Sequence, residues 1–301
     1  MSLQTILRGT GVALVTPFTP EGAIDFNALE KVIRNVIDGG CEYVVTLGTT
    51  GETPVLSKEE KKELIEFTYK IADSKVPVVV GVGGNDTQTL IKDLEHFPLD
   101  KAAAVLSAAP YYSKPSQEGI YQHYKTLAAA SPKPLILYNV PGRTGRNVNA
   151  STTLRLAYEV QNIAGIKEAS GDMSLCMQLL KDKPADFMVV SGDDNLAMAQ
   201  IACGMTGVIS VAANCLPRQF SEMVRFSLNH DFTAAKRLND TMLEAYDLLF
   251  CENNPAGVKG FLTAMGLIQN HLRLPLVPLS EEVMKKVKQY VAALEYSTNN
   301  Q

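Results

Sequence analysis

Eight times between Gly11 and Leu228, the chain alternates a short apolar, β-branched run with a stretch of helical period. The first four pairs are Gly11–Val15 with Ala28–Ile37, Tyr43–Leu47 with Ser57–Ala72, Val76–Gly81 with Thr87–Phe97, and Ala103–Ser107 with Ser116–Ala130. The next four are Leu135–Tyr138 with Thr152–Tyr158, Ile163–Lys167 with Ser174–Leu180, Phe187–Ser191 with Asn195–Cys203, and Gly207–Val211 with Pro217–Leu228. The runs are apolar throughout and do not alternate with polar residues, which is the pattern of parallel strands buried on both faces. An unbroken series of eight such units favours a closed (β/α)8 TIM barrel over an open doubly wound sheet. Ser57, with Glu60 three residues on, forms a capping box that starts the second helix.

Past residue 230 the strands stop. Asp231–Cys251, Pro255–Ile268 and Glu281–Leu294 read as helices. This divides the chain into a barrel over 1–230, where any catalysis is expected, and a C-terminal three-helix subdomain over 231–301. No low-complexity linker separates the two, so the subdomain is expected to dock on the barrel. Ser297–Gln301 reads as a frayed tail.

Composition removes several classes of function. A net charge of -4, with no basic stripe, argues against nucleic acid and anionic membranes as partners. No apolar run approaches the ~18 residues of a membrane span. Met1–Thr10 lacks the apolar core of a secretory leader, so a cytoplasmic location is expected. The five cysteines are scattered without a C-x-x-C pair and read as reduced thiols.

In a barrel of this kind the chemistry sits at the C-terminal ends of the strands. Lys167 stands there, closing the apolar run Ile163-Ala164-Gly165-Ile166. Burying an ammonium is costly, so such a group tends to give up its proton, and a neutral amine is a nucleophile for ketones. The competing reading is a structural salt bridge, with Glu168 as the nearest partner. Imine formation also needs proton transfers, which a nearby phenol can perform. Tyr138 ends the adjacent strand, and Thr49 and Tyr112 end others, so three hydroxyls share the rim with one lysine.

Two further features suit anionic substrates. Thr49-Thr50-Gly51 offers hydroxyls and backbone N–H groups as a cradle for a small carboxylate, although an ordinary turn would look similar. Arg143 lies in the stiff Pro141-Gly142-Arg143-Thr144-Gly145 loop, where a guanidinium can pair with a second carboxylate or remain a surface charge. His96, His123, His230 and His271 show no metal-ligand spacing and none falls on the rim, so no metal is expected. Gly81-Val82-Gly83-Gly84 only partly matches a dinucleotide loop, since Asp86 stands where the third glycine belongs. Asp193 and Asp194 read as caps of the helix that follows them.

Gly48-Thr49-Thr50-Gly51-Glu52, Tyr138-Asn139-Val140-Pro141-Gly142-Arg143-Thr144 and Gly165-Ile166-Lys167-Glu168-Ala169 resemble the signature segments of the dihydrodipicolinate synthase family. The similarity runs from about Gly9 to Leu294. The lysine and tyrosine motifs are shared with N-acetylneuraminate lyase and 2-keto-3-deoxy sugar-acid aldolases, and Arg143 is the discriminating feature. The resemblance implies a Schiff base between Lys167 and pyruvate, with Tyr138 as proton donor and acceptor. It implies that Thr49 and Tyr112 complete the relay, Tyr112 reaching in from a neighbouring subunit of a homodimer or dimer of dimers. Thr50, the backbone of Ile209 and nearby Gly192 would form the pyruvate pocket, and Arg143 would hold the carboxylate of L-aspartate 4-semialdehyde. No cofactor is implied. Asn85 and Tyr111 match a site at which members of the family bind inhibitory lysine. Lys58 and Thr89 replace a histidine and a glutamate common there, which predicts weak or absent inhibition. The alternatives are a sugar-acid lyase using the same imine and a non-catalytic barrel that binds a keto acid.

Overall fold

Successive residues of a strand face opposite sides, so a run that is apolar throughout needs apolar neighbours on both. The chain meets that need by closing on itself. The computed structural model describes residues 2–299. Its strands are β1 (Gly9–Ala13), β2 (Tyr43–Thr46), β3 (Val78–Gly81), β4 (Ala104–Ala108), β5 (Leu135–Asn139), β6 (Ile163–Glu168), β7 (Met188–Ser191) and β8 (Gly207–Ser210). They pair in sequence order, all parallel, and β8 returns to β1 with Gly9 opposite Gly207 and Val12 opposite Ser210.

Inside the barrel, Ala13, Tyr43, Val45, Ile136, Met188 and Ile209 form a continuous apolar core. Gly11 is small because Tyr43 fills the space beside it: a Cβ there would lie 2.1 Å from Tyr43 Cε2. A short helix α1 (Leu3–Ile6) precedes β1, and the fully buried Leu7 joins the inner core. The polar run at the N-terminus does not predict this helix.

Outside the barrel, Val12, Val44, Val80, Leu137, Val189 and Val208 pack against the helical layer. That layer comprises α2 (Phe26–Asp38), α3 (Lys58–Ala72), α4 (Thr87–His96), α5 (Gln117–Ala130), the short α6 (Pro141–Thr144), α7 (Ala150–Glu159), α8 (Met173–Asp182), α9 (Ala197–Ala202) and α10 (Pro217–Leu228). The capping box at Ser57 and Glu60 is present at the start of α3.

The C-terminal region contains α11 (Phe232–Phe250), α12 (Ala256–Ala264) and α13 (Glu281–Asn299). The boundary expected at 230 falls between α10 and α11, and α11 packs on α10. Met242, Tyr246, Phe261 and Val287 belong to the same apolar core as the outer face of the barrel, so these helices share the barrel's core. The second helix stops earlier than expected, at Ala264, because Gly266 turns into the left-handed region at φ +71°. The expected frayed tail is helical as far as Asn299; Asn300 and Gln301 lie outside the described residues.

Candidate active site

Register brings the two central groups together. Tyr138 on β5 is directly opposite Lys167 on β6, and the lysine Nζ lies 4.3 Å from the centre of the Tyr138 ring. Both side chains are buried. The next pair, Asn139 and Glu168, turns outward by the strand alternation. Asn139 Nδ2 donates to Glu168 Oε2 at 2.9 Å, and the Ser170 N–H donates to Glu168 Oε1 at 2.7 Å. Glu168 is therefore engaged away from Lys167, and the salt-bridge reading of Lys167 has lost its partner. Burial raises the pKa of Glu168, with the Ser170 and Asn139 bonds opposing that rise.

The Thr49-Thr50 cradle is built by an abrupt end to β2. Leu47 takes a left-handed φ of +57°, and its carbonyl occupies the space a Cβ on Gly81 would need, at 2.1 Å. The chain then makes a 3-10 turn over Thr49–Gly51. The Thr53 hydroxyl donates to the Gly48 carbonyl and the Thr16 hydroxyl to the Gly51 carbonyl, both at 2.8 Å. Thr50 is buried, and its Oγ1 accepts a bond from Asn254 Nδ2 at 3.0 Å. A hydroxyl that accepts there keeps its own proton to donate elsewhere.

Arg143 lies on α6, which starts at Pro141 and ends at Gly145 in the left-handed region. Its Nη2 donates to Asn253 Oδ1 at 3.1 Å and to the Asn254 carbonyl at 3.2 Å. The guanidinium is thus braced across the mouth of the barrel by the segment that precedes α12.

Thr49, Thr50, Tyr138, Arg143, Lys167 and Gly192 all line one cavity of about 350 Å³ at the C-terminal end of the strands. Two of the expected residues, Tyr112 and Ile209, are not among those that line it within one chain. Ile209 is fully buried in the inner core, and the lining residue from that stretch is Val211. Tyr112, held at φ +72°, projects outward and is 88% exposed. Its neighbour Tyr111 lines an adjoining cleft of about 280 Å³ that shares Thr49, Tyr138 and Arg143 with the first.

Three polar lining residues carry no such role in the sequence analysis: Asp193, Asn253 and Asn254. Burial raises the pKa of Asp193, while the charge of Lys167 opposes that rise. The expected capping role of the aspartate pair is corrected by the structure. Neither side chain caps the turn at Asp194–Leu196 or α9. Asp194 instead turns back to accept from the Val211 and Ala212 amides, at 3.1 and 2.8 Å. The helix expected from Asn195 consequently begins only at Ala197. Away from the cavity, Lys58 pairs with Asp93 at 2.9 Å, and the Thr89 hydroxyl donates to Asp86.

Residues 6–294 match the family model described as the dihydrodipicolinate synthetase family. The chain belongs to that family. It is 48% identical to the 4-hydroxy-tetrahydrodipicolinate synthase of Azobacteroides pseudotrichonymphae, over 95% of this chain and 96% of the relative. It is 46% identical to the enzyme of the same name from Parabacteroides distasonis, over 96% and 97%. The crystal structure of the chloride-inhibited dihydrodipicolinate synthase from Acinetobacter baumannii, complexed with pyruvate, superposes with a TM-score of 0.92 at 40% identity, covering 95% of this chain and 98% of that one. Membership of the dihydrodipicolinate synthetase family agrees with the closed barrel and with the helices that follow it. Among the described residues no helix is long and apolar enough to cross a membrane.

Proposed function

We propose that this chain condenses pyruvate with L-aspartate 4-semialdehyde to give 4-hydroxy-tetrahydrodipicolinate. The observation that carries the reading is the buried Tyr138–Lys167 pair, in a cavity that also presents Thr50 and Arg143. Relatives of high coverage bear the name of that enzyme, and a close structural neighbour is described with pyruvate bound.

The chemistry runs as follows. The Lys167 amine adds to the ketone carbon of pyruvate, and loss of water leaves an iminium ion. Loss of a methyl proton gives the enamine, whose terminal carbon attacks the aldehyde of the second substrate. That substrate's own amine then adds to the iminium carbon, closes the ring and expels Lys167. Each step moves a proton, and Tyr138, Thr49 and a Tyr112 hydroxyl form the relay. Thr50 donates to the pyruvate carboxylate, with Gly192 and the strand end after Ile209 shaping the pocket. Arg143 holds the carboxylate of the semialdehyde.

Tyr112 points away from its own cavity, which suits delivery to a partner's site in a homodimer or dimer of dimers. We place the activity in the cytoplasm, consistent with five free thiols. Borohydride reduction with pyruvate, followed by peptide mass mapping, tests the reading. A pyruvate adduct on Lys167, together with turnover of L-aspartate 4-semialdehyde, is expected. An adduct with turnover of a sugar acid alone would move the chain to the lyases, and no adduct would leave a keto-acid-binding barrel.

A further inference from the structure

The most enclosed ion pair among the described residues lies outside the catalytic constellation. Lys259 on α12 pairs with Glu52, and both side chains have no exposed surface. Lys259 Nζ also donates to the His271 carbonyl at 2.9 Å and sits 4.3 Å from the centre of the Phe18 ring. The other Glu52 oxygen accepts from the Arg273 amide at 3.1 Å. Burial pulls the pKa of Lys259 down to about 8, against the opposing pull of Glu52. A buried pair of this kind is an expensive way to gain stability, since well-packed apolar residues often do as well. What it does supply is a fixed geometry.

That geometry centres on the carboxylate cradle. Glu52 is in the left-handed region, at φ 54°, and joins the turn Thr49–Gly51 to the turn Thr53–Val55. Two residues before it, Thr50 accepts its bond from Asn254. Asn254 and Lys259 lie on one short stretch, five residues apart, that leads directly into α12. The same Asn254 receives Arg143 on its backbone carbonyl. One segment of the C-terminal region therefore grips the cradle loop at two points and Arg143 at a third.

We infer that segment 254–259 is a positioning strut: the Lys259–Glu52 pair and the Asn254–Thr50 bond together set the Thr50 hydroxyl against a keto-acid carboxylate. The inference rests on the proposed pyruvate chemistry and adds to it that pyruvate affinity depends on the C-terminal region. Lys259 and Glu52 act through Thr50, without touching substrate.

The test is the pyruvate concentration that half-saturates borohydride trapping on Lys167, read beside the thermal unfolding midpoint. The double variant Glu52→Gln/Lys259→Met removes both charges, so no unpaired charge is left buried, and the new amide oxygen can still accept from the Arg273 N–H. It is expected to fold and to need at least tenfold more pyruvate, with the adduct at saturation still on Lys167. An unchanged half-saturation in a folded double variant, whatever its unfolding midpoint, overturns the inference. Should the double variant fail to fold, Asn254→Ala at the cavity wall carries the same test: a tenfold rise supports the strut and no rise overturns it. Absence of an adduct in the unaltered protein would instead strike the pyruvate chemistry itself, so the two failures are distinct.

Discussion

Gly192 lies against the side chain of Lys167 so closely that a Cβ on it would sit 2.9 Å from the lysine Cε and 2.5 Å from the Ala169 Cβ. The lysine reaches its place beside Tyr138 through space that only a glycine leaves open. Gly192→Ala must displace the amine. Because misplacing a reacting group by about 1 Å costs on the order of 100-fold, the rate of borohydride-trappable adduct formation is expected to fall by about that factor. Circular dichroism should show the barrel intact; an unchanged trapping rate would mean that the lysine is not held by this contact.

Tyr138→Phe keeps the ring that lies beside Lys167 and removes the hydroxyl to which the proposed chemistry gives the proton transfers. Turnover is expected to fall about 10²–10⁴-fold, the usual contribution of a positioned acid–base group. Pyruvate should still be trapped on Lys167, more slowly. Turnover within threefold of the unaltered protein would give the relay to another group.

Arg143→Ala separates the two half-reactions. Imine formation with pyruvate is expected to survive, while kcat/KM for L-aspartate 4-semialdehyde drops. Loss of charge-assisted bonds worth about 1.5–3 kcal/mol corresponds to roughly 10- to 150-fold. Equal losses in trapping and condensation would instead point to collapse of the brace between Arg143 and Asn253-Asn254.

Asp194 gives a pH signature. Burial raises its pKa to about 6, with bonds from Ser210 and the Ala212 and Val211 amides opposing that rise. The folded state thus holds the proton more tightly than the unfolded chain does. Its contribution to stability is fully present below about pH 4 and is lost as pH climbs through about 6. Relative to Asp194→Asn, the unaltered protein should lose about 3 kcal/mol of unfolding free energy over that interval. Urea titrations of both proteins at pH 4 and pH 7 measure the difference, and parallel behaviour would contradict the assignment.

Inhibition by lysine is expected to be weak or absent. The resemblance sets Lys58, here paired with Asp93, and Thr89, whose hydroxyl donates to Asp86, where lysine-binding members of the family often carry a histidine and a glutamate; the exchange adds a cation and removes a carboxylate that an incoming amine would need. Strong inhibition by L-lysine at or below about 1 mM in a steady-state titration would refute this.

The barrel was legible because each strand carries its own signal. Apolar runs such as Tyr43–Leu47 announce burial on both faces, and Ser57 with Glu60 announces a helix start within four residues. Lys167, Tyr138, Thr49 and Arg143 were legible for a related reason: each ends such a run or stands in the loop just after one, and all four line one cavity. Asn254 and Lys259 carry no comparable mark. Their partners, Thr50 and Glu52, are more than 200 residues away, and no local period encodes a pairing of that span. Asn254-Pro255 does signal a turn, but the sequence around it reads only as the start of another helix. Asp194 misled in the opposite direction. An aspartate before a helical stretch suits a cap, and the competing amides of Val211 and Ala212 come from another strand end.

The bond from Asn254 back to Thr50 closes a span of 204 residues, and this sets an order of events during synthesis. Every strand of the barrel, with Lys167 and Tyr138, has been translated by Ser210, well before Asn254 leaves the ribosome. A chain at that stage carries all eight strands but lacks the Asn254 amide that bonds Thr50 and the Asn254 carbonyl that accepts from Arg143. On the proposed chemistry, competence therefore arrives late, with the last quarter of the chain, and a premature stop before Asn254 leaves Lys167 without the contacts that hold Thr50 and Arg143.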